Sequence, residues 1–161
     1  MSKKHGTELQ DREEKQIEIR RMHDRDFEGG VILVTEFVDE ALYEYGAQLD
    51  LEQIKATHKQ VKKDSFVVVD GDKVVGILLG RVVKDFCSNT PLYEEILWYM
   101  NVNYRRYGMR LFKYVQQWCI IHGIKRMTMC CMHNSKTEKL FALYKKLGFR
   151  EMETRFIKLL D

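Results

Sequence analysis

Arg105, Arg106 and Arg110 flank Gly108 in the stretch Tyr104-Arg105-Arg106-Tyr107-Gly108-Met109-Arg110. Guanidinium groups are planar, permanently charged and forked, which suits them to phosphate oxygens. Before the stretch, Glu94-Glu95-Ile96-Leu97-Trp98-Tyr99-Met100-Asn101-Val102 reads as an apolar strand. After it, Leu111 to His122 reads as a helix that stops at Gly123. A strand, a basic turn with glycine and a helix start can hold a phosphate. The first turn of a helix has unpaired N–H groups and carries the positive end of the dipole. The same residues can also form a solvated turn, so the rest of the chain has to decide.

The elements that must position this turn follow from local pattern. Lys15 to Met22 alternates around Ile17 and Ile19 and reads as a first strand. Asp24 or Asp26 can cap the helix that follows. Phe27 to Tyr45 carries apolar residues at three-and-four spacing and ends at Gly46. Asp50 opens a second, more polar helix, Leu51 to Lys62. Ser65 to Val69 and Val74 to Val83 form a hairpin around Asp70-Gly71-Asp72-Lys73. Lys84 to Leu92, with the single proline Pro91, reads as a loop. Ile124 to Cys131 reads as a strand, Thr137 to Leu147 as a helix stopped by Gly148, and Phe149 to Leu160 as a last strand. The order is β-α-α-β-β-β-α-β-α-β. It predicts an α/β (α+β) fold with a central mixed, mostly antiparallel sheet flanked by helices.

A chain of 161 residues sets one domain as the expectation. The polar start is expected to be a flexible tail over 1–15, leaving a single domain over 16–161. Met1 to Gln16 has no apolar core of the kind a secretory signal carries. No apolar run approaches the roughly 20 residues of a membrane helix. A cytoplasmic protein is therefore expected, with Cys87, Cys119, Cys130 and Cys131 as reduced thiols. Cys119, His122, Cys130, Cys131 and His133 could be assembled into a metal set, but they lack the ligand pairs of closed zinc sites, so no metal is expected. A net charge of +3 allows an anionic ligand and argues against nucleic acid.

The element order, with Leu143-Tyr144-Lys145-Lys146-Leu147-Gly148-Phe149 near the end, resembles the GNAT superfamily of acyl-CoA-dependent N-acetyltransferases. The resemblance covers about residues 16 to 160. The motifs that carry it are the strand–turn–helix block Glu95 to Gly123 and the Leu-Tyr-x-Lys-x-Gly-Phe ending. The wording of the turn and its flanks is most similar to small phage- and prophage-encoded members. One departure stands out. The family turn usually reads Arg/Gln-x-x-Gly-x-Gly/Ala, and here Arg110 stands where a small residue belongs. Matching both flanks makes the turn about two residues shorter than usual, so it offers fewer backbone amides to a diphosphate.

The resemblance implies acetyl-CoA as cofactor and direct attack by an amine acceptor. Glu95 would be the general base, with Glu94 on the opposite face of the strand. Tyr144 would protonate the departing sulfur, a task that suits a phenol neutral at pH 7. Backbone N–H groups around Tyr99 to Asn101 would polarise the acyl carbonyl. Met100, Asn101, Val102, Arg105, Arg106, Tyr107, Gly108, Met109 and Arg110 would border the cofactor. Asn134 or Thr137 would meet its pantetheine arm. The acceptor is an amine of a small molecule or a protein. The competing reading is a catalytically degenerate member that binds a partner, and an exposed last strand could pair in a homodimer.

Overall fold

The computed structural model describes residues 16–134 and 136–160. The expected tail over 1–15 lies outside the described residues. The regular elements are β1 (Ile17–Arg21), α1 (Phe27–Phe37), α2 (Leu51–Val61), β2 (Phe66–Asp70), β3 (Lys73–Lys84), β4 (Pro91–Met100), α3 (Gly108–Ile121), β5 (Arg126–Thr128) and α4 (Thr137–Lys146). They form one five-stranded sheet in the order β1-β2-β3-β4-β5. The first three pairings are antiparallel and β4–β5 is parallel. The expected mixed, mostly antiparallel sheet with helices on its faces is the observed architecture.

Alternation along β2 explains why both faces are filled. Phe66 and Val68 join a core with Tyr93, Leu111, Val115 and Cys119 beneath α3. Val67 and Val69 join a second core with Leu33, Ile77 and Leu97 beneath α1. A strand buried on both faces reads as an unbroken apolar run, as this one does. Gly71, at φ 60°, closes the β2–β3 hairpin.

One irregularity sets the site. Pairing along β3–β4 passes from Leu79–Leu97 to Gly80–Glu95, so Ile96 has no partner opposite it. This bulge reverses the alternation. Tyr93 and Leu97, four residues apart, should share a face, yet Tyr93 packs in the α3-side core and Leu97 in the α1-side core. Gly80 lies opposite. A β-carbon there would run into the Tyr93 phenol, so glycine is what allows the ring to cross it.

Several expectations are corrected. No last strand forms: residues 149–160 have no regular structure, and Phe156 is 95% exposed. A strand needs a ladder to join, and β5 offers only three residues. Pro91 opens β4 instead of lying in a loop, opposite Lys84, where the missing N–H is tolerated. Helix geometry after Phe37 changes to a wide turn over Val38–Leu42 and a tight one over Tyr43–Tyr45, ending at Gly46 with φ 74°. Asp26 does not cap α1. Its carboxylate takes two bonds from Arg20, at 2.7 and 2.8 Å, and one from the His23 N–H.

Asp50 does cap α2, accepting from Glu52 and Gln53 N–H at 2.9 and 3.0 Å. Asp50→Ala is expected to lower stability by about 1 kcal/mol in chemical denaturation, without change in the sheet.

Candidate active site

β4 and β5 pair only from Leu92–Arg126 to Glu94–Thr128. Beyond that point they part and leave a notch. Cys130 lies two residues past the last pair, and side chains satisfy its peptide groups. Its N–H donates to Glu95 Oε2 at 2.6 Å, and its carbonyl accepts from Tyr144 OH at 3.0 Å. The two residues expected to do acid–base work therefore meet on the two sides of one peptide residue.

Glu95 is 5% exposed, and burial pushes its carboxyl up to about 7 in spite of the Cys130 N–H. A carboxyl half-ionised near neutrality is matched to proton abstraction at that pH. Simple alternation would set Tyr93, Glu95 and Leu97 on one face; the unpaired Ile96 sends Leu97 to the other, so Glu95 stays on the Tyr93 side, apart from Leu97. Glu94 instead pairs with Arg81 at 2.7 Å. Tyr144 is 8% exposed and packs against Trp98 and Phe149. Burial, then the nearby Glu95, holds its phenol protonated well above the usual tyrosine range.

The basic turn is the 3-10 helix Val102–Tyr107, which runs directly into α3 at Gly108. The helix thus starts three residues earlier than its pattern suggests. Much of the turn's backbone is already engaged. Asn103 N–H donates to Asn101 Oδ1, Tyr104 N–H to Asn101 O, and Gly108 N–H to Arg105 O. What the turn presents to an anion is therefore chiefly side-chain charge. Buried Tyr107 organises it: the Arg106 guanidinium lies 4.8 Å and that of Arg110 5.5 Å from the ring centre. Arg106 also donates to the Tyr107 hydroxyl at 3.2 Å. Tyr104 anchors the turn to β2 by donating to Asp70 at 2.7 Å. At Gly108 a β-carbon would sit 3.4 Å from Met100 Cγ and 3.6 Å from Trp98, so the start of α3 lies close on the end of β4. Met109 and Arg110 occupy the first turn of α3.

Asn134 and Thr137 lie on the other side of the notch. Both serve the turn that leads into α4: Asn134 Oδ1 accepts from Lys136 N–H, and Thr137 Oγ1 accepts from Asn134 N–H and donates to Met132 O. Four groups were missed by sequence reasoning: Glu36, Glu40, Tyr99 and Lys136. Asn101 Nδ2 donates to Glu36, and Tyr99 OH, Arg105 and Lys136 all reach Glu40. Their available signal was the four-residue spacing of Glu36 and Glu40, which puts both on one helix face.

Among the described residues, no group of three or more His, Cys, Asp or Glu could hold a metal. No helix among them is long and apolar enough to cross a membrane. A hollow of about 440 Å³ between α1 and α2, lined by Phe27, Val31, Leu51 and Lys55, holds none of the candidate groups. The candidate site is the notch, where the buried acid and the phenol meet on Cys130; Trp98, which packs against Tyr144, also lies close to Gly108 at the end of the basic turn.

The sequence matches the acetyltransferase (GNAT) family over residues 18–149. No curated protein matches it significantly. Among solved structures, it is similar to an aminoglycoside acetyltransferase from an uncultured soil metagenomic sample. That pair has TM-score 0.70 and 19% identity, covering 91% of this chain and 98% of the other. It is similar to an aminoglycoside acetyltransferase bound to a bisubstrate analogue of coenzyme A and acetylneamine, with TM-score 0.66 and 17% identity over 90% and 98% of the two chains. A ribosomal-protein-alanine N-acetyltransferase from Brucella melitensis biovar Abortus 2308 gives TM-score 0.70 and 13% identity over 89% and 99%. These likenesses establish the fold, and the family match spans most of the chain. With a sheet that parts at β4–β5 and a basic turn beside the parting, the protein belongs to the GNAT family of acetyltransferases, whose cofactor is acetyl-CoA.

Proposed function

We propose that this protein transfers an acetyl group from acetyl-CoA to a primary amine, of a small molecule or a protein, by direct attack in a ternary complex. The observation that carries this reading is the convergence of Glu95 and Tyr144 on Cys130, where β4 and β5 part.

The residues present fit the cofactor. Arg105, Arg106 and Arg110 would meet its phosphate charge, with Tyr107 and Gly108 shaping the turn and Met109 beginning the helix behind it. Met100, Asn101 and Val102 would border its reactive end, and Asn134 and Thr137 its pantetheine arm. When bound, it supplies an acetyl group activated as a thioester.

The protein's own groups manage protons. Glu95 takes one from the amine, directly or through water, and its raised affinity for protons lets it do so near neutrality. Tyr144 holds a proton at its hydroxyl for the sulfur that leaves; burial keeps it there at every working pH. Asn101 N–H is held by Val75 O at 2.9 Å, so of this stretch the Met100 N–H is the group assigned to polarise the acyl carbonyl. The amine class is supported by the aminoglycoside and protein-alanine acetyltransferases among the similar structures. A cytoplasmic setting and kinship with small phage-encoded members belong to the same proposal; a homodimer through a last strand loses its ground, because residues 149–160 form none.

A second reading, a binding module without turnover, is favoured by one observation: Arg105 is already paired with Glu40, in a turn whose amides are largely used. Mass spectrometry separates the two. The protein is incubated with acetyl-CoA and a panel of polyamines, aminoglycosides and peptides with free N-termini. The enzyme reading expects one acetyl group added to at least one class. Cofactor binding without any acetylated product would favour the binding module.

A further inference from the structure

The run from Glu36 to Tyr45 is tied to both sides of the notch. On the β4 side, Asn101 Nδ2 donates to Glu36 at 3.3 Å and Tyr99 OH to Glu40 at 3.1 Å. Arg105 Nη2 donates to the two Glu40 oxygens at 3.1 and 3.0 Å. On the β5 side, Lys136 Nζ pairs with the same Glu40 carboxylate, and Tyr45 OH donates to His133 O at 2.9 Å. One carboxylate thus joins the turn after β4 to the turn before α4, across the opening where the strands part. Glu40 sits in the wide turn Val38–Leu42, a geometry that recurs at functional positions in helices.

Arg105 is asked to do two things. In the structure it serves Glu40. In the phosphate reading above it serves a diphosphate, which carries more charge and accepts the same donors. Arg105 Nη2, which serves both Glu40 oxygens, cannot serve a phosphate oxygen with full geometry at the same time. The pair is partly exposed, with side-chain exposures of 43% for Arg105 and 32% for Glu40, so it is weak enough to exchange.

We infer that Glu40 is an internal competitor for Arg105, a strap that the cofactor's diphosphate displaces. Displacement removes one of the ties that hold the run 38–46 to the β4 side. The run then loosens as the cofactor seats. The inference rests on the reading of Arg105 as a phosphate ligand.

Hydrogen exchange and calorimetry with coenzyme A test it. Ligands ordinarily protect what they touch. Here saturating coenzyme A is expected to slow exchange in 102–112 and to speed it in 38–46. Glu40→Gln is expected to bind coenzyme A roughly threefold to fivefold more tightly, because the competing charge is gone. In that variant the run 38–46 should exchange fast already and change little on binding. Arg105→Ala separates the two layers. Unchanged affinity for coenzyme A in Arg105→Ala would overturn the phosphate reading itself. Weakened affinity there, together with unaltered affinity in Glu40→Gln and protection of 38–46 by coenzyme A, would overturn the strap and leave the phosphate reading standing.

Discussion

Glu95→Gln is expected to slow acetyl transfer about a hundredfold and, in the same protein, to raise thermal stability above pH 7. The two effects have one cause. Glu95 is buried, and burial raises its carboxyl from an ordinary 4.5 to about 7. Between those values the folded protein keeps a proton that the unfolded chain has released. Stability therefore falls as pH rises from about 4.5 to about 7, and is level above. The full loss is about 3 kcal/mol. Glutamine keeps an oxygen to accept the Cys130 N–H, carries no charge to bury, and cannot take a proton. Melting temperature measured against pH should slope downward over that window in the parent and stay flat in the variant. The rate of the parent should rise with pH, pass half of its plateau near 7 and level off above that, and the variant should lack that limb. A variant with the stability change and an undiminished rate would make Glu95 a structural acid alone.

Tyr144→Phe should lower kcat tenfold to a hundredfold, as expected for loss of a positioned proton donor. It also leaves the Cys130 carbonyl without its phenol, at a cost of about 1 to 2 kcal/mol in stability. The rate and stability effects are separable. Ring packing against Trp98 and Phe149 is preserved by phenylalanine, so affinity for coenzyme A should hold while kcat falls. A fall in affinity with unchanged kcat would assign Tyr144 to shaping the notch instead. Because burial keeps the phenol protonated, no alkaline limb from Tyr144 is expected in the parent's rate profile.

Much of this was legible in the sequence where the cause is local. Phe66 to Val69 is apolar at every position because both faces of β2 are covered, and Gly71 and Gly148 mark a hairpin and a helix stop through positive φ. The basic turn announced itself by residue type. What was hidden depends on pairing. Simple alternation would set Tyr93, Glu95 and Leu97 on one face; the unpaired Ile96 reverses it, and nothing in Glu95-Ile96-Leu97 marks that position as a bulge. Residues 149–160 carry strand-forming types but meet an edge of three residues. Glu40 was invisible as a site residue because its partner Arg105 lies 65 positions away. The helix start at Gly108 was read late because a 3-10 turn leads into it without a break.

Calorimetric titration of the full chain with acetyl-CoA, beside an Arg106→Ala variant, tests the central claim most directly. The account predicts micromolar binding to the parent and roughly tenfold weaker binding to the variant, since the loss of one charge-assisted phosphate contact is worth about that factor. No binding up to millimolar cofactor would contradict it.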